Sequence, residues 1–287
     1  MFLDEKRAKE LVMVTLITDS YNLGSHWVYD QKQLQKQNID WEQLNKPLAI
    51  WHKGKTVGEF THYGDQIYWL YEFLEDKDSF DENDFFHFWV KKMNSYDGYI
   101  DSATKDTLKN FEDNKKPYGS NSSDLSIVGR IAPLLKVSKD SNEFLENVQK
   151  LTVLTHNSQS AKDASHFFAK LFLKVLQNDD IEKSIISLQD EFNSTIKDYI
   201  EKAFETKNAQ TSEVIKDFGP ACDISEGFSN VIHLLLKYDD YKQMQIANAQ
   251  AGGETSARAM VAALIFMANK PISKIPRSWF NIKKTIY

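Results

Sequence analysis

The residues of this 287-residue chain that could do chemistry gather at a few glycine-bearing polar turns. The first, Gly24-Ser25-His26-Trp27-Val28-Tyr29-Asp30, brings an imidazole, an indole, a phenol and a carboxylate together. Its ring pair can stack a planar group, and its histidine can act as acid, base or ligand. Tyr63-Gly64-Asp65-Gln66 offers an oxygen ligand for a hard cation, or a helix cap. Gly119-Ser120-Asn121-Ser122-Ser123-Asp124 leads to Gly129-Arg130 and presents hydroxyls and backbone N–H groups to an anion. Thr155-His156 follows at the end of an apolar segment, where His156 reads equally as a helix-end histidine or a ligand. Gly252-Gly253-Glu254-Thr255-Ser256-Ala257-Arg258 is a small-residue turn with one acid, able to lie against a diphosphate or a metal-bound water. Any one of these turns is a plain bend or cap. An acid or imidazole beside each points instead to one shared cleft in which Asp65, Glu254, Asp124 and His26 converge.

Those turns need a scaffold, and the spacing of apolar residues predicts a helical one. Leu11–Thr18 is a strongly apolar run ending at Asp19, which reads as a buried cap or acceptor. Ile67–Leu74 reads as a buried helix with Asp65 and Gln66 at its N-terminus. Ser79 with Glu82 three residues on reads as another helix start. Apolar stripes at three- and four-residue spacing run through 142–177, 180–204, 225–238 and 256–268. The apolar helix after Asp124 is interrupted by Pro133, and 31–58 reads as a long surface loop with a short helix. Eleven glycines and six prolines are too few for a protein of many tight β-turns. The expectation is an all-α, single-domain chain over 1–287.

Composition closes off other classes. A hydrophobic fraction of 41% excludes a disordered chain, and a net charge of −6 argues against nucleic acid or an anionic membrane as partner. The single cysteine, Cys222, excludes a disulfide framework and a cysteine-based zinc cage. The first ten residues are charged too early for a signal peptide, and the longest apolar stretch, Met260–Ala268, is too short to cross a bilayer. A cytoplasmic-type compartment is expected.

In order along the chain, Asp19, His26-Trp-Val-Tyr-Asp30, Phe60-Thr-His-Tyr-Gly-Asp65-Gln66, Ser122-Ser-Asp-Leu with Arg130-Ile-Ala-Pro-Leu, Leu154-Thr-His156 and Gly252-Gly-Glu-Thr-Ser-Ala-Arg258 resemble the ADP-ribosylglycohydrolase superfamily, in the branch that includes the J-type lens crystallins. The similarity runs from about Leu11 to Trp279. It implies an orthogonally packed helical bundle with a central cleft, which in family enzymes carries two Mg²⁺ ions and hydrolyses the N- or O-glycosidic bond of ADP-ribose. The family reads Thr-Asp-Asp-Thr where this chain has Tyr63-Gly64-Asp65-Gln66, and Gly-Gly-Asp-Thr-Asp-Thr where it has Gly252–Ala257. Only Asp65 and Glu254 stand at matching acidic positions, with Ser256 as a weak further oxygen. The resemblance therefore implies at most one weakly held Mg²⁺, or His26 in its place.

A metal-poor hydrolase needs its own means of activating water, and Asp65 or Glu254 is expected as the general base. Asp124 or Glu254 becomes the charge stabiliser, with Arg130 or Arg258 near a diphosphate. Trp27, Tyr63, Gln66, Ser122, Ser123, His156, Gly252 and Gly253 would line the substrate, a nucleotide-sugar or an ADP-ribosylated protein. Two readings follow: a metal-poor hydrolase, or a non-catalytic ADP-ribose-binding or crystallin-like member.

Overall fold

Most helices begin at a short polar side chain that accepts a backbone N–H from the first turn, satisfying donors the helix itself leaves unpaired. In chain order the computed structural model has α1 (Glu5–Asn22), α2 (Gln31–Lys36), α3 (His62–Leu74), α4 (Glu82–Asn94) and α5 (Ser102–Glu112). These are followed by α6 (Ser141–Thr155), α7 (Gln159–Leu176), α8 (Ile181–Leu188), α9 (Ser194–Glu205) and α10 (Thr211–Phe218). The last are α11 (Ile224–Lys237), α12 (Tyr241–Ala251) and α13 (Thr255–Phe266). Residues 3–286 are described; Met1, Phe2 and Tyr287, the ends of the expected 1–287 domain, lie outside them. Among the described residues there is no strand, only isolated bridges, and no helix is long and apolar enough to cross a membrane. The all-α expectation holds.

Burial places α13 at the centre. Each of its residues is buried, Thr255, Ser256 and Arg258 included. It packs along α1 and against α11, α7 and the 3-10 segment Leu125–Arg130. α1 is buried from Val14 to Asn22, so Asp19 lies inside the bundle rather than at its edge. Phe167, Phe168 and Phe228 mesh with one another where α7 meets α11.

Several boundaries differ from the pattern in the sequence. Asp81, not Ser79, caps α4, because its Oδ1 reaches the N–H groups of Asn83 and Asp84. α3 begins at His62 behind a Thr61 cap, so Asp65 closes its first turn and Gln66 opens the second. The expected apolar helix after Asp124 is two 3-10 segments, Leu125–Arg130 and Ala132–Lys136, broken where Pro133 has no N–H to give. The stripe over 180–204 splits into α8 and α9 around a 3-10 turn at Gln189–Glu191. The stretch 31–58 holds only α2 and a single turn at Ile50–His52.

Candidate functional site

The turn before α13 builds the site. Gly252 and Gly253 have φ of +73° and +70°, and a Cβ on Gly253 would stand 2.4 Å from the Pro220 carbonyl. Only glycine fits that combination. A two-way backbone bridge then joins distant segments: Trp27 N–H donates to Gly253 O and Gly253 N–H to Val28 O, each at 2.8 Å. Arg258 locks the turn from beneath, donating Nη2 to Gly252 O at 2.6 Å, Nη1 to Pro220 O at 3.2 Å and Nε to Asn248 Oδ1 at 3.0 Å. Its guanidinium is therefore spent on the chain's own carbonyls, and burial pulls its pKa down to about 10.

Glu254 caps α13 from this turn. Its Oε1 accepts the Ala257 N–H at 3.0 Å and lies 3.2 Å from His26 Nδ1. Its Oε2 accepts the Trp27 indole N–H at 2.8 Å and the Tyr63 hydroxyl at 3.3 Å. The side chain has no exposed surface. Burial, then the charge of Asp124, pushes its pKa up to about 8. His26 Nδ1 lies between Glu254 Oε1 at 3.2 Å and the Ser256 backbone N–H at 3.4 Å. Burial and then the neighbouring His52 hold His26 well below its usual pKa, keeping it neutral.

Asp124 completes an acid pair. Tyr63 OH lies 3.3 Å from Asp124 Oδ2, the distance it keeps from Glu254, so one phenol spans both carboxyls. The Ser126 N–H fixes Asp124 Oδ1 at 2.8 Å, and an antiparallel bridge between Asp124 and Asp223 brings Cys222 alongside. Burial raises Asp124 and, with the Asp124 charge, raises the Cys222 thiol. The two carboxyls that face this one phenol are coupled, and charge on Asp124 disfavours ionisation of Glu254.

Aromatic and imidazole rings cover the pair. Trp27 has a left-handed backbone, φ +63°, and its ring stacks 5.2 Å from His52 and 4.5 Å from His26. Tyr99 meets Trp27 edge-on at 4.7 Å, and exposed Trp51 meets Tyr99 at 5.9 Å. His62 lies 3.8 Å from the Tyr63 ring with its Nε2 3.1 Å from Asp101. Burial works to raise the Asp101 carboxyl, but His62 and the Thr104 N–H hold it below the usual carboxylate range. His52, His62, Tyr99, Trp51 and Asp101 were not among the expected site residues. His62 was within reach of sequence reasoning, one residue before Tyr63; Asp101 carries no local signal beyond a helix cap.

The other expected residues divide clearly. Arg130 donates to Gln66 Oε1 at 2.6 Å and lies 5.9 Å from the Tyr63 ring centre, so both form a buried layer behind Tyr63. Gln66 Oε1 also accepts from Trp89 at 2.9 Å. His156 is buried at the end of α6, hydrogen-bonded through Nδ1 to Thr155 and pulled down to about 3, by burial first and Arg130 second. Ser122 Oγ accepts the Asp124 N–H at 3.1 Å, and Ser123 Oγ donates to Asp223; both shape the loop. Ser256 Oγ donates to Asp19 Oδ1.

Asp65 does not join the Glu254–Asp124 group. It stands two residues beyond Tyr63 on α3, about 200° round the helix, so the two side chains leave on different faces. Its carboxylate is taken by Lys55, by Tyr96 OH at 2.7 Å and by Lys284 at 3.5 Å.

These residues do not suit a divalent metal. A side chain at Gly64 would begin 2.1 Å from Asp19 Oδ2, so Asp19 fills the space an acid at 64 would need. Asp19 in turn is saturated by Thr61 N–H at 2.8 Å, Thr61 Oγ1 at 2.6 Å and Ser256, and burial pushes it up to about 6. Asp65 faces ammonium groups, and Glu254 faces N–H and O–H donors. Among the described residues, no three His, Cys, Asp or Glu side chains are grouped to hold a metal ion.

Comparisons with known proteins agree with this architecture. The family model described as ADP-ribosylglycohydrolase matches residues 3–284. Crystallin J1A and Crystallin J1B of Tripedalia cystophora are each 20% identical over 293 residues, covering 96% of this chain and 91% of theirs. A solved structure titled "ADP-ribosylglycohydrolase-related protein complex" superposes with a TM-score of 0.71 at 15% identity, over 96% of this chain and 92% of that one. A match over nearly all of the chain, on an all-α bundle with its glycine turns at the centre, places this protein in the ADP-ribosylglycohydrolase family.

Proposed function

We propose that the protein hydrolyses the glycosidic bond of ADP-ribose or of an ADP-ribosylated substrate through the Glu254–Asp124 pair, with no step through a metal. The observation that carries this reading is the buried acid pair spanned by the Tyr63 hydroxyl, with Glu254 raised to about 8. A carboxylic acid that stays protonated at neutral pH is a general acid, and a charged carboxylate beside it is its natural complement. Glu254 gives its proton to the departing nitrogen or oxygen as the bond to the ribose carbon breaks. Asp124 steadies the positive charge developing on the ribose and takes a proton from the attacking water. His26, neutral and stacked beneath Trp27, orients Glu254.

A second reading rests on a separate observation. Glu254 has no exposed surface and its two oxygens already have four partners, a state that suits a binding protein as well as an enzyme. The named crystallin relatives favour that non-catalytic member.

The test is turnover of ADP-ribosylated arginine, ADP-ribosylated serine and free ADP-ribose derivatives, with and without Mg²⁺ and chelator, for the wild type, Glu254→Gln and Asp124→Asn. The hydrolase reading expects product that survives chelation and falls at least a hundredfold in either variant, on the order of a general-acid contribution. Binding of ADP-ribose with no product from any substrate establishes the second reading instead.

A further inference from the structure

The segment Ile50–Gly58 carries His52 and Trp51, two of the rings that wall the site. It has one helical turn of its own, so something outside it must hold it down. Two anchors do so. Lys55, on the segment, pairs with the buried carboxylate of Asp65. The chain's last stretch crosses the same segment: Lys283 N–H donates to Gly58 O at 2.8 Å, and Lys283 Nζ donates to Thr56 Oγ1. Gly58 permits that crossing, with φ +84° and a would-be Cβ only 2.5 Å from Asn281 O. Lys284, from this strap, returns to Asp65 at 3.5 Å. Asp65 is thus the point where segment, strap and α3 meet, with Tyr96 OH as a third donor.

We propose that Asp65 is a positioning residue whose cation is the protein's own: the Lys55 ammonium occupies the carboxylate and so fixes His52 and Trp51 against Trp27 and Tyr99. The family resemblance makes Asp65 a metal ligand, and the structure disagrees. Two ammonium groups face its oxygens, and a dication placed among them would be repelled. Lys55 places this segment in the same way whether the protein is an enzyme or a binder.

The test uses the full chain and three variants, Asp65→Asn, Lys55→Met and Lys55→Arg. Trypsin cleavage after Lys53 and Lys55 reads opening of the segment, and diethylpyrocarbonate labelling reads exposure of His52 against buried His233 and His156. Expected for Asp65→Asn and Lys55→Met is about tenfold faster opening, as cleavage at Lys53 and labelling of His52, with His233 and His156 labelled at wild-type rates. Lys55→Arg keeps the segment closed. Hydrogen exchange at the Lys283 amide rises together with His52 labelling. Lys55→Met keeps Asp65 itself, so the experiment survives a failure of Asp65→Asn to fold. Wild-type His52 labelling in Lys55→Met, or uniform labelling of all three histidines, overturns the proposal. Mg²⁺ binding by calorimetry that Asp65→Asn abolishes also overturns it.

Discussion

Trp27 donates its indole N–H to Glu254 Oε2 at 2.8 Å from a left-handed backbone that an indole side chain rarely adopts. Strain of that kind costs on the order of 1–3 kcal/mol and persists where surrounding structure dictates it. Here the dictating contacts are the paired backbone bonds to Gly253 and Val28. Trp27→Phe keeps the stack on His26 and His52 but removes a hydrogen bond that lowers the Glu254 pKa. The Glu254 carboxyl should then titrate higher, by roughly half a unit to one unit. Carbon NMR titration of the Glu254 carboxyl in the two proteins checks it.

Glu254 also makes a pH-dependent contribution to stability. Its folded pKa of about 8 lies above the ordinary value of 4.5, so the folded protein binds more protons than the unfolded chain in between. The contribution is complete below about pH 4.5 and is lost as pH rises through 8. Glu254→Gln removes it. The difference in Tm between variant and wild type should move in favour of the variant from pH 5 to pH 8.5, and a series of thermal melts reads it directly. A difference that stays flat would place Glu254 in the ionised state throughout.

Gly253→Ala should cost about 1–3 kcal/mol of stability, since alanine at φ +70° is strained and its Cβ strikes the Pro220 carbonyl. Urea denaturation at pH 7 gives the value. A neutral outcome would mean that the turn before α13 relaxes without disturbing the bridge to Trp27.

Asp19→Ala should be more damaging, about 3 kcal/mol or more. It orphans the buried Thr61 N–H and leaves the Thr61 and Ser256 hydroxyls without their acceptor. Asp19→Asn keeps one accepting oxygen and should cost less. The comparison by denaturant midpoint separates a structural hub from a titrating site group.

Much of the helical scaffold was legible in the sequence because its causes are local. Three- and four-residue apolar spacing and polar caps mark α6, α7, α11 and α13 without reference to anything distant. The glycine pair before Glu254 was legible for a similar reason: two adjacent glycines before an acid announce an unusual backbone. The sequence also marked Glu254, Asp124, His26, Trp27 and Tyr63 as candidates by type and neighbourhood. It could not say which of them meet.

Tertiary structure decided that, because the contacts that assemble the site join residues far apart along the chain. Trp27 and Glu254 are separated by 227 positions and Tyr63 and Glu254 by 191, and no local pattern encodes such pairings. The phase of α3 turned Tyr63 toward the acids and sent Asp65 to Lys55 and Lys284 instead, a difference of two residues that becomes about half a turn of helix. Desolvation did the rest. A carboxyl has its ordinary pKa in a sequence; only burial in the folded chain, and then the charge of Asp124, pushes Glu254 up to about 8.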